Sequence, residues 1–196
     1  MHPYAVDSDE RVKIPLYLAA ISFILAWALH QFLTQLSWSV PWWIDAPSIM
    51  GFYGLLYTLF DRIFWKSSLV RKTGLVKTPN LKGNWEGTLV SSYDDFKERH
   101  RVEVHIEQTW TKIVIIFRTS NSTSQSVMAG FITQIPSEIM LTYEYRNEPR
   151  TLAKETMHAH DGTAWLIWKN EKLEGSYYTG RDRKNHGEIE LHRVKS

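Results

Sequence analysis

Hydrophobic and polar positions change rhythm once, and sharply, along this 196-residue chain. Residues 14–44 contain no Asp, Glu, Lys or Arg; Asp45 interrupts, and a second charge-free run covers 46–60. A helix that crosses a bilayer needs about 20 mostly apolar residues at about 1.5 Å rise each. Residues 14–36 meet that requirement, and 46–65 meet it with Asp61 and Arg62 at the membrane surface. Between them Pro41 breaks the helix, and Trp38, Trp42 and Trp43 suit an interface. The pattern predicts a two-helix transmembrane hairpin over 14–65. Ala19, Ser22, Ala26 and His30 share a face of the first helix, and Gly51, Gly54, Thr58 and Asp61 share a face of the second. In lipid, small residues let helices approach closely and polar ones seek partners within protein. Such stripes serve either the hairpin's own packing or a seam between copies. Gly51, Gly54, Thr58 and Asp61 are the candidate assembly residues, with Asp61 the charge nearest the membrane interior.

From residue 81 the period becomes two. Trp85, Gly87 and Leu89 alternate with Glu86, Thr88 and Val90, and Val102, Val104 and Ile106 with Arg101, Glu103 and His105. Stretches 112–119, 126–134, 139–145, 157–168, 172–179 and 187–194 continue the series. Read with Asp161-Gly162 as a bulge rather than a hairpin turn, the count is eight strands. Eight short strands suit a small up-and-down β-barrel, which also removes exposed edges. The expected fold is therefore a membrane α-helical hairpin plus an all-β domain. A short, loose N-terminus over 1–13 precedes the hairpin, and a basic linker over 66–80, able to lie on anionic lipid, joins it to a barrel over 81–196. Loops 109–111, 135–137 and 169–171 are short, whereas 92–99, 120–125, 146–155 and 180–186 are longer. Alternate connections lie at opposite ends, so the long loops gather at one end, away from where the linker enters. Barrel mouths are common ligand sites.

Charge then orients and restricts the picture. Arg11 and Lys13 precede the first helix, Arg62, Lys66, Arg71 and Lys72 follow the second, and the connecting loop has no Lys or Arg. The positive-inside rule puts both termini in the cytoplasm. From 81 onward there are sixteen Lys plus Arg and sixteen Asp plus Glu. A domain that grips long nucleic acid carries a basic excess, so the balance argues against a polymer and leaves room for a small ligand. There is no Cys, which excludes disulfides and Cys-zinc sites. Phosphate-binding loops, Gly-x-Ser-x-Gly and His-Glu-x-x-His are absent from the sequence. His158 and His160, two apart and followed by Asp161, are the one zinc-like pair, without a third ligand or a base. No metal site, catalytic site or cofactor is assigned, and an enzyme is not expected.

Extending the inward parity to the loop-rich end selects a second set. It delivers Ser91 and Tyr93, then Tyr143 and Tyr145, then Tyr177 and Thr179, with Arg181 and Arg183 in the loop beyond. Arg118 ends the third strand. Aromatic rings stack on bases, hydroxyls bond base edges or phosphates, and Arg pairs with phosphate. Tyr93, Arg118, Tyr143, Tyr145, Tyr177, Thr179, Arg181 and Arg183 therefore suit a small nucleotide. The same residue types also fill and solvate barrels that bind none.

The layout resembles the effectors of bacterial CBASS anti-phage systems that join two transmembrane helices to a cytosolic β-barrel, the CD-NTase-associated membrane effectors. The likeness covers nearly the whole chain. It rests on the double span, the short basic linker, the opening Gly83-Asn84-Trp85-Glu86-Gly87, and the closing pair Leu173-Glu174-Gly175-Ser176-Tyr177-Tyr178-Thr179-Gly180-Arg181 and Gly187-Glu188-Ile189-Glu190-Leu191-His192-Arg193. The resemblance implies that a nucleotidyltransferase sensing infection makes a cyclic dinucleotide and that the barrel binds it. It further implies that the protein then oligomerises and disrupts the inner membrane, killing the infected cell before phage spreads. It implies a multi-pass protein of the bacterial inner membrane whose partners are the cyclic dinucleotide, the lipid bilayer and further copies of itself. Two other classes remain open: a membrane-tethered, lipocalin-like carrier of an apolar ligand, which predicts copurifying lipid, and a membrane-bound metal-dependent hydrolase using His158 and His160, which predicts bound metal.

Overall fold

The computed structural model describes residues 1–36, 42–134, 138–150, 158–180 and 183–194, with the backbone alone over 42–47. The chain divides into two units. One comprises Ser8–Lys77, and the other joins Met1–Asp7 to Thr78–Ser196.

In the first unit, α1 (Glu10–Gln35) and α2 (Trp42–Arg62) pack on each other. α1 buries Ile14, Leu18, Ser22 and Ala26 at every fourth position, and the Ser22 hydroxyl donates to the Leu18 carbonyl at 2.6 Å. Of the expected stripe, Ser22 and Ala26 face inward and Ala19 is exposed, because a spacing of four selects a narrower strip than the sequence suggested. Leu16, Phe23, Ile24, Trp27 and Phe32 are exposed on α1. An apolar helix this uncovered needs lipid or protein around it. On α2, Gly51, Gly54 and Thr58 are exposed, while Asp61 is half-buried. A short α3 (Ser68–Lys72), N-capped by Ser67, leads out of the unit. The buried Glu10 carboxylate accepts the Lys77 amide at 2.6 Å, which brings together the two ends of the unit.

In the second unit, eight strands follow in antiparallel order: β3 (Gly83–Ser91), β4 (His100–Gln108), β5 (Lys112–Arg118), β6 (Ser122–Ile132), β7 (Ile139–Pro149), β8 (His160–Lys169), β9 (Lys172–Thr179) and β10 (His186–Arg193). β10 pairs with β3 and closes the barrel. Asp161 and Gly162 sit in unbroken register with Arg146 and Tyr145, so β8 passes through them as a continuous strand without even a bulge. The β5–β6 loop is shorter than expected, and the β7–β8 loop lies further along the chain. β6 begins at Ser122 and β7 runs to Pro149, because alternating Ser122, Ser124 and Asn147 can face inward and extend the ladders. The turn at 135–137 and most of the β7–β8 loop lie outside the described residues.

The N-terminus departs most from expectation. Instead of a loose tail, it supplies two further strands of the same sheet, β1 (His2–Pro3) and β2 (Ala5–Val6). β1 runs antiparallel to the start of β5, and β2 runs parallel to the end of β6. The chain thus contributes to the barrel, leaves it for the helical unit after Asp7, and returns at Thr78. A short polar segment can do this because the open edges of β5 and β6 supply backbone partners that a free tail would otherwise find in water.

The interior is graded along the barrel axis. Where the linker enters, Leu81, Trp85, Ile106, Trp110, Ile113, Leu141, Leu166, Leu173 and Leu191 are all nearly or fully buried. Trp85 Nε1 donates to the Leu81 carbonyl at 2.9 Å and Gln108 accepts the Leu81 amide at 2.8 Å, so these polar groups are satisfied within the floor. At the other end the inward positions turn polar and aromatic.

Candidate ligand-binding pocket

A cavity of about 200 Å³ opens at that second end. Tyr143, Tyr145 and Asn147 reach it along β7, Tyr177 and Thr179 along β9, and Ser122 and Ser124 along β6. Two glycines make room for the rings. A Cβ on Gly162 would run into the Tyr145 ring, and one on Gly187 would sit 2.7 Å from Tyr177 Cε1 and collide with the Val90 carbonyl. The Tyr143 and Tyr145 rings lie 6.1 Å apart, tilted by 51°. Burial pushes both phenols well above the ordinary tyrosine range, and for Tyr145 the neighbouring Tyr143 and Tyr177 add to it. Tyr177 is raised by burial too, opposed by its hydrogen bond to Ser91. These hydroxyls are thus neutral at physiological pH and offer both a donor and an acceptor.

Arg183 is the one Lys, Arg, Asp or Glu among the described lining residues, and its guanidinium carbon stands 5.5 Å from the centre of the Tyr93 ring. His160 also faces the cavity. Burial lowers its pKa, and the charge of Arg183 adds to that. Its Nδ1 lies 3.0 Å from the His158 carbonyl, where it can only donate, so Nε2 is left as an acceptor. The shelf opposite consists of Ser124, whose hydroxyl donates to Asn147 Oδ1 at 2.9 Å. The rim is organised by local bonds. The Thr179 hydroxyl accepts the Asn185 amide at 2.9 Å, tying the ends of the β9–β10 loop, and His100 Nε2 meets Asp94 Oδ2 at 2.8 Å.

Of the residues expected to meet a ligand, Tyr93, Tyr143, Tyr145, Tyr177, Thr179 and Arg183 surround this one cavity. Arg118 does not. The inward parity of β5 falls on Ile113, Ile115 and Phe117, which leaves Arg118 exposed on the outer wall. Arg181 lies outside the described residues. The zinc-like group also disperses: Asp161 turns outward to Arg146 at 3.1 Å, since adjacent strand residues face opposite sides, and His158 contributes its carbonyl to His160. Among the described residues, Asp94, Glu98 and His100 instead bring possible cation ligands within 4.8 Å of one another at the rim. Sequence reading missed Ser122, Ser124, Asn147, His160 and Phe117 as lining residues. The spacing Ser122-x-Ser124-x-Ser126 carried the signal, as an alternating polar strand rather than the loop expected there.

The comparisons meet this architecture unit by unit. Residues 12–66 match the model of the Cap15 transmembrane helices, and residues 76–193 match that of the Cap15 cyclic dinucleotide receptor domain. The chain belongs to the Cap15 family. It is 30% identical to a CD-NTase-associated protein 15 of Yersinia aleksiciae, over 99% of this chain and 98% of that one. A CD-NTase-associated protein 15 of Staphylococcus schleiferi is 28% identical over 94% of this chain and 96% of its own length. As a Cap15-family protein the chain is a CBASS effector that combines membrane helices with a cyclic dinucleotide receptor barrel. The cavity described above lies within the matched receptor domain.

Proposed function

We propose that the mouth of the barrel binds a cyclic dinucleotide made by a CD-NTase, and that binding drives the protein to oligomerise and breach the bacterial inner membrane. The observation that carries the first part is the composition of the cavity: three buried tyrosines, a Ser–Asn shelf and, among the described lining residues, a single Arg. The rings of Tyr143, Tyr145 and Tyr177 offer stacking faces, Ser124, Asn147 and His160 offer base-edge partners, and Arg183 offers a charge-assisted bond to phosphate. A buried polar shelf favours a polar ligand over the apolar cargo of a lipocalin-like carrier. The protein acts in this reading by binding alone, without catalysis.

Topology supports the membrane part. Residues 1–7 and 78–194 build one barrel, so the intervening chain leaves and returns on the same side of any membrane it crosses. That requires an even number of crossings, which α1 and α2 supply at about 39 and 32 Å of helix. With Arg11, Lys13, Arg62, Lys66, Arg71 and Lys72 flanking them, both termini are cytoplasmic. Gly51, Gly54 and Thr58 point away from α1's partner strip and are exposed, which favours a seam between copies over packing within the hairpin. Asp61 completes that stripe in the assembly reading.

The test uses the full chain in lipid nanodiscs, titrated calorimetrically with a panel of cyclic dinucleotides and their linear counterparts. Tight binding of one cyclic species and none of its linear form is expected; no binding across the panel by folded protein overturns the reading. In dye-loaded vesicles, Gly54→Leu should keep that binding and lose leakage, because a side chain there meets nothing within 4 Å in the isolated chain. Undiminished leakage removes the α2 stripe from the mechanism.

A further inference from the structure

The seam between β5 and β6 differs from the rest of the barrel. These strands pair directly over only three positions, Ile116 with Gln125, Phe117 with Ser124 and Arg118 with Thr123. The middle pair, Phe117 and Ser124, also lines the cavity. Toward the floor the two strands part. β6 skips Val127 in its register with β7, and segment 2–7 fills the gap, antiparallel on β5 and parallel on β6. Where the direct ladder ends, the Ser126 hydroxyl accepts the Ile115 amide at 2.9 Å and meets His2 Nε2 at 2.8 Å. Tyr4 is buried edge-on against Phe131, with its hydroxyl donating to the Trp110 carbonyl at 2.6 Å. Asp7 ends the segment by accepting the amide and the hydroxyl of Thr133 at 2.8 and 2.7 Å. Only Ser8 and Asp9 then separate it from the first residue of α1.

We propose that segment 2–7 is a releasable strap that couples the mouth to the membrane helices. Occupancy of the cavity moves β5 against β6 at their short ladder, frees the strap from its slot, and unties the start of α1 from the barrel. The proposal rests on the reading of the mouth as a cyclic dinucleotide site. A ligand can shift such an equilibrium only if it interacts differently with the two states. The seam supplies that difference, because the ladder pair that holds β5 to β6 is itself part of the cavity wall. Two strands of two residues each belong to the low end of local stability, where opening does not require the barrel to unfold. With the strap seated, the helical unit is tied to the barrel at both of its ends. With the strap released the barrel holds the unit only through Thr78, and α1, still joined beside that point by the Glu10–Lys77 bond, can turn about it against a neighbouring copy.

The sequence has no Cys, so the strap can be locked by a single engineered disulfide. Ala5 is in register with Gly130, and a Cβ built on Gly130 lies 3.9 Å from the Ala5 Cβ. That falls within the roughly 3.5–4.5 Å a disulfide requires. The double variant Ala5→Cys, Gly130→Cys is reconstituted as full chain in dye-loaded vesicles, oxidised or reduced, and exposed to a mixture of 3′,5′-linked cyclic dinucleotides covering the four bases. The oxidised form, locked with the strap seated, should bind nucleotide about tenfold more weakly than the reduced form, because coupling between two sites is reciprocal, and at saturating nucleotide it should leak about tenfold more slowly. Equal leakage from both forms overturns the strap. Disulfide-linked dimers in place of the internal link also overturn it, since they show the segment seated in another copy's slot. Failure of the reduced form to bind any nucleotide overturns the reading of the mouth, and with it the strap as a transmitter. Hydrogen exchange of the unmodified chain gives an independent readout. Amides of residues 2–7 should exchange about fivefold or more faster once nucleotide is added, and unchanged protection there, with the mouth loops newly protected, refutes release.

Discussion

The floor and the mouth of the barrel are built by the same strands with the same two-residue alternation, yet they perform opposite tasks. On the floor, Leu81, Ile113 and Leu173 are fully buried and Trp85 and Trp110 almost so, and Trp85 Nε1 and Gln108 Oε1 are paired to backbone. At the mouth, the inward positions of β6, β7 and β9 carry Ser122, Ser124, Asn147, Tyr145 and Tyr177 around open space. Continuing the floor's apolar sequence to the mouth would stabilise the barrel and leave nothing to recognise a polar ligand. The contrast teaches that stability and recognition are separated along one axis, a few residues apart on each strand. Perturbations should separate in the same way.

The largest effect belongs to the floor. Leu173→Ala should cost about 2–5 kcal/mol of unfolding free energy, from lost transfer energy plus the cavity left behind. Chemical denaturation of the detergent-solubilised chain measures it, and affinity for nucleotide should fall only in proportion to the fraction unfolded. A loss of affinity in fully folded protein would break the comparison. Next comes Arg183→Ala at the mouth. Removing a charge-assisted bond should weaken nucleotide binding by about 1.5–3 kcal/mol, roughly ten- to hundredfold, while the denaturation midpoint barely moves. A destabilised barrel with intact affinity would make Arg183 structural. Ser124→Ala is intermediate in kind. It leaves Asn147 without a donor it now has, so stability and affinity should both fall, each by about 1 kcal/mol. A change confined to stability would return the shelf to the floor's category.

The smallest effect is one of pH. Burial holds the His160 pKa below its ordinary value of 6.5, so below pH 6.5 the unfolded chain binds more protons at this residue than the folded one. Stability from this group is therefore complete above about pH 6.5 and is lost as pH falls from there toward the folded pKa. His160→Gln should flatten that part of the pH–stability curve. An unaltered slope would assign the acid sensitivity to other groups.

Much of this contrast was legible in the chain. The charge-free runs mark the helices, the alternation from Trp85 onward marks the strands, and parity carries Tyr143, Tyr145 and Tyr177 to the end where the loops gather. Parity failed where a strand boundary was misplaced. Starting β6 at Ser126 hid Ser122 and Ser124, and the Arg that ends β5 belongs to the outer wall because Phe117 takes the inward place. The His158–His160 pair looked like a ligand set only while both were assumed to lie on one strand; β8 begins at His160.

The sequence by itself determined the two long helices, the eight strands from Gly83 onward, the membrane character of the first part, and the polar or apolar character of the side chains that face inward, since all of these depend on neighbours within a few residues. Tertiary structure alone decided which strands meet. Segments of two residues have no period to read, so nothing local marks His2–Pro3 and Ala5–Val6 as strands, and their partners lie more than a hundred residues away at Lys112, Ile113, Gly130 and Phe131. The unpaired edges that the bulge at Val127 leaves between β5 and β6 exist only once the barrel has closed. A backbone slot of that kind is a property of the assembled sheet, and it is what turns a short polar N-terminus into part of the fold.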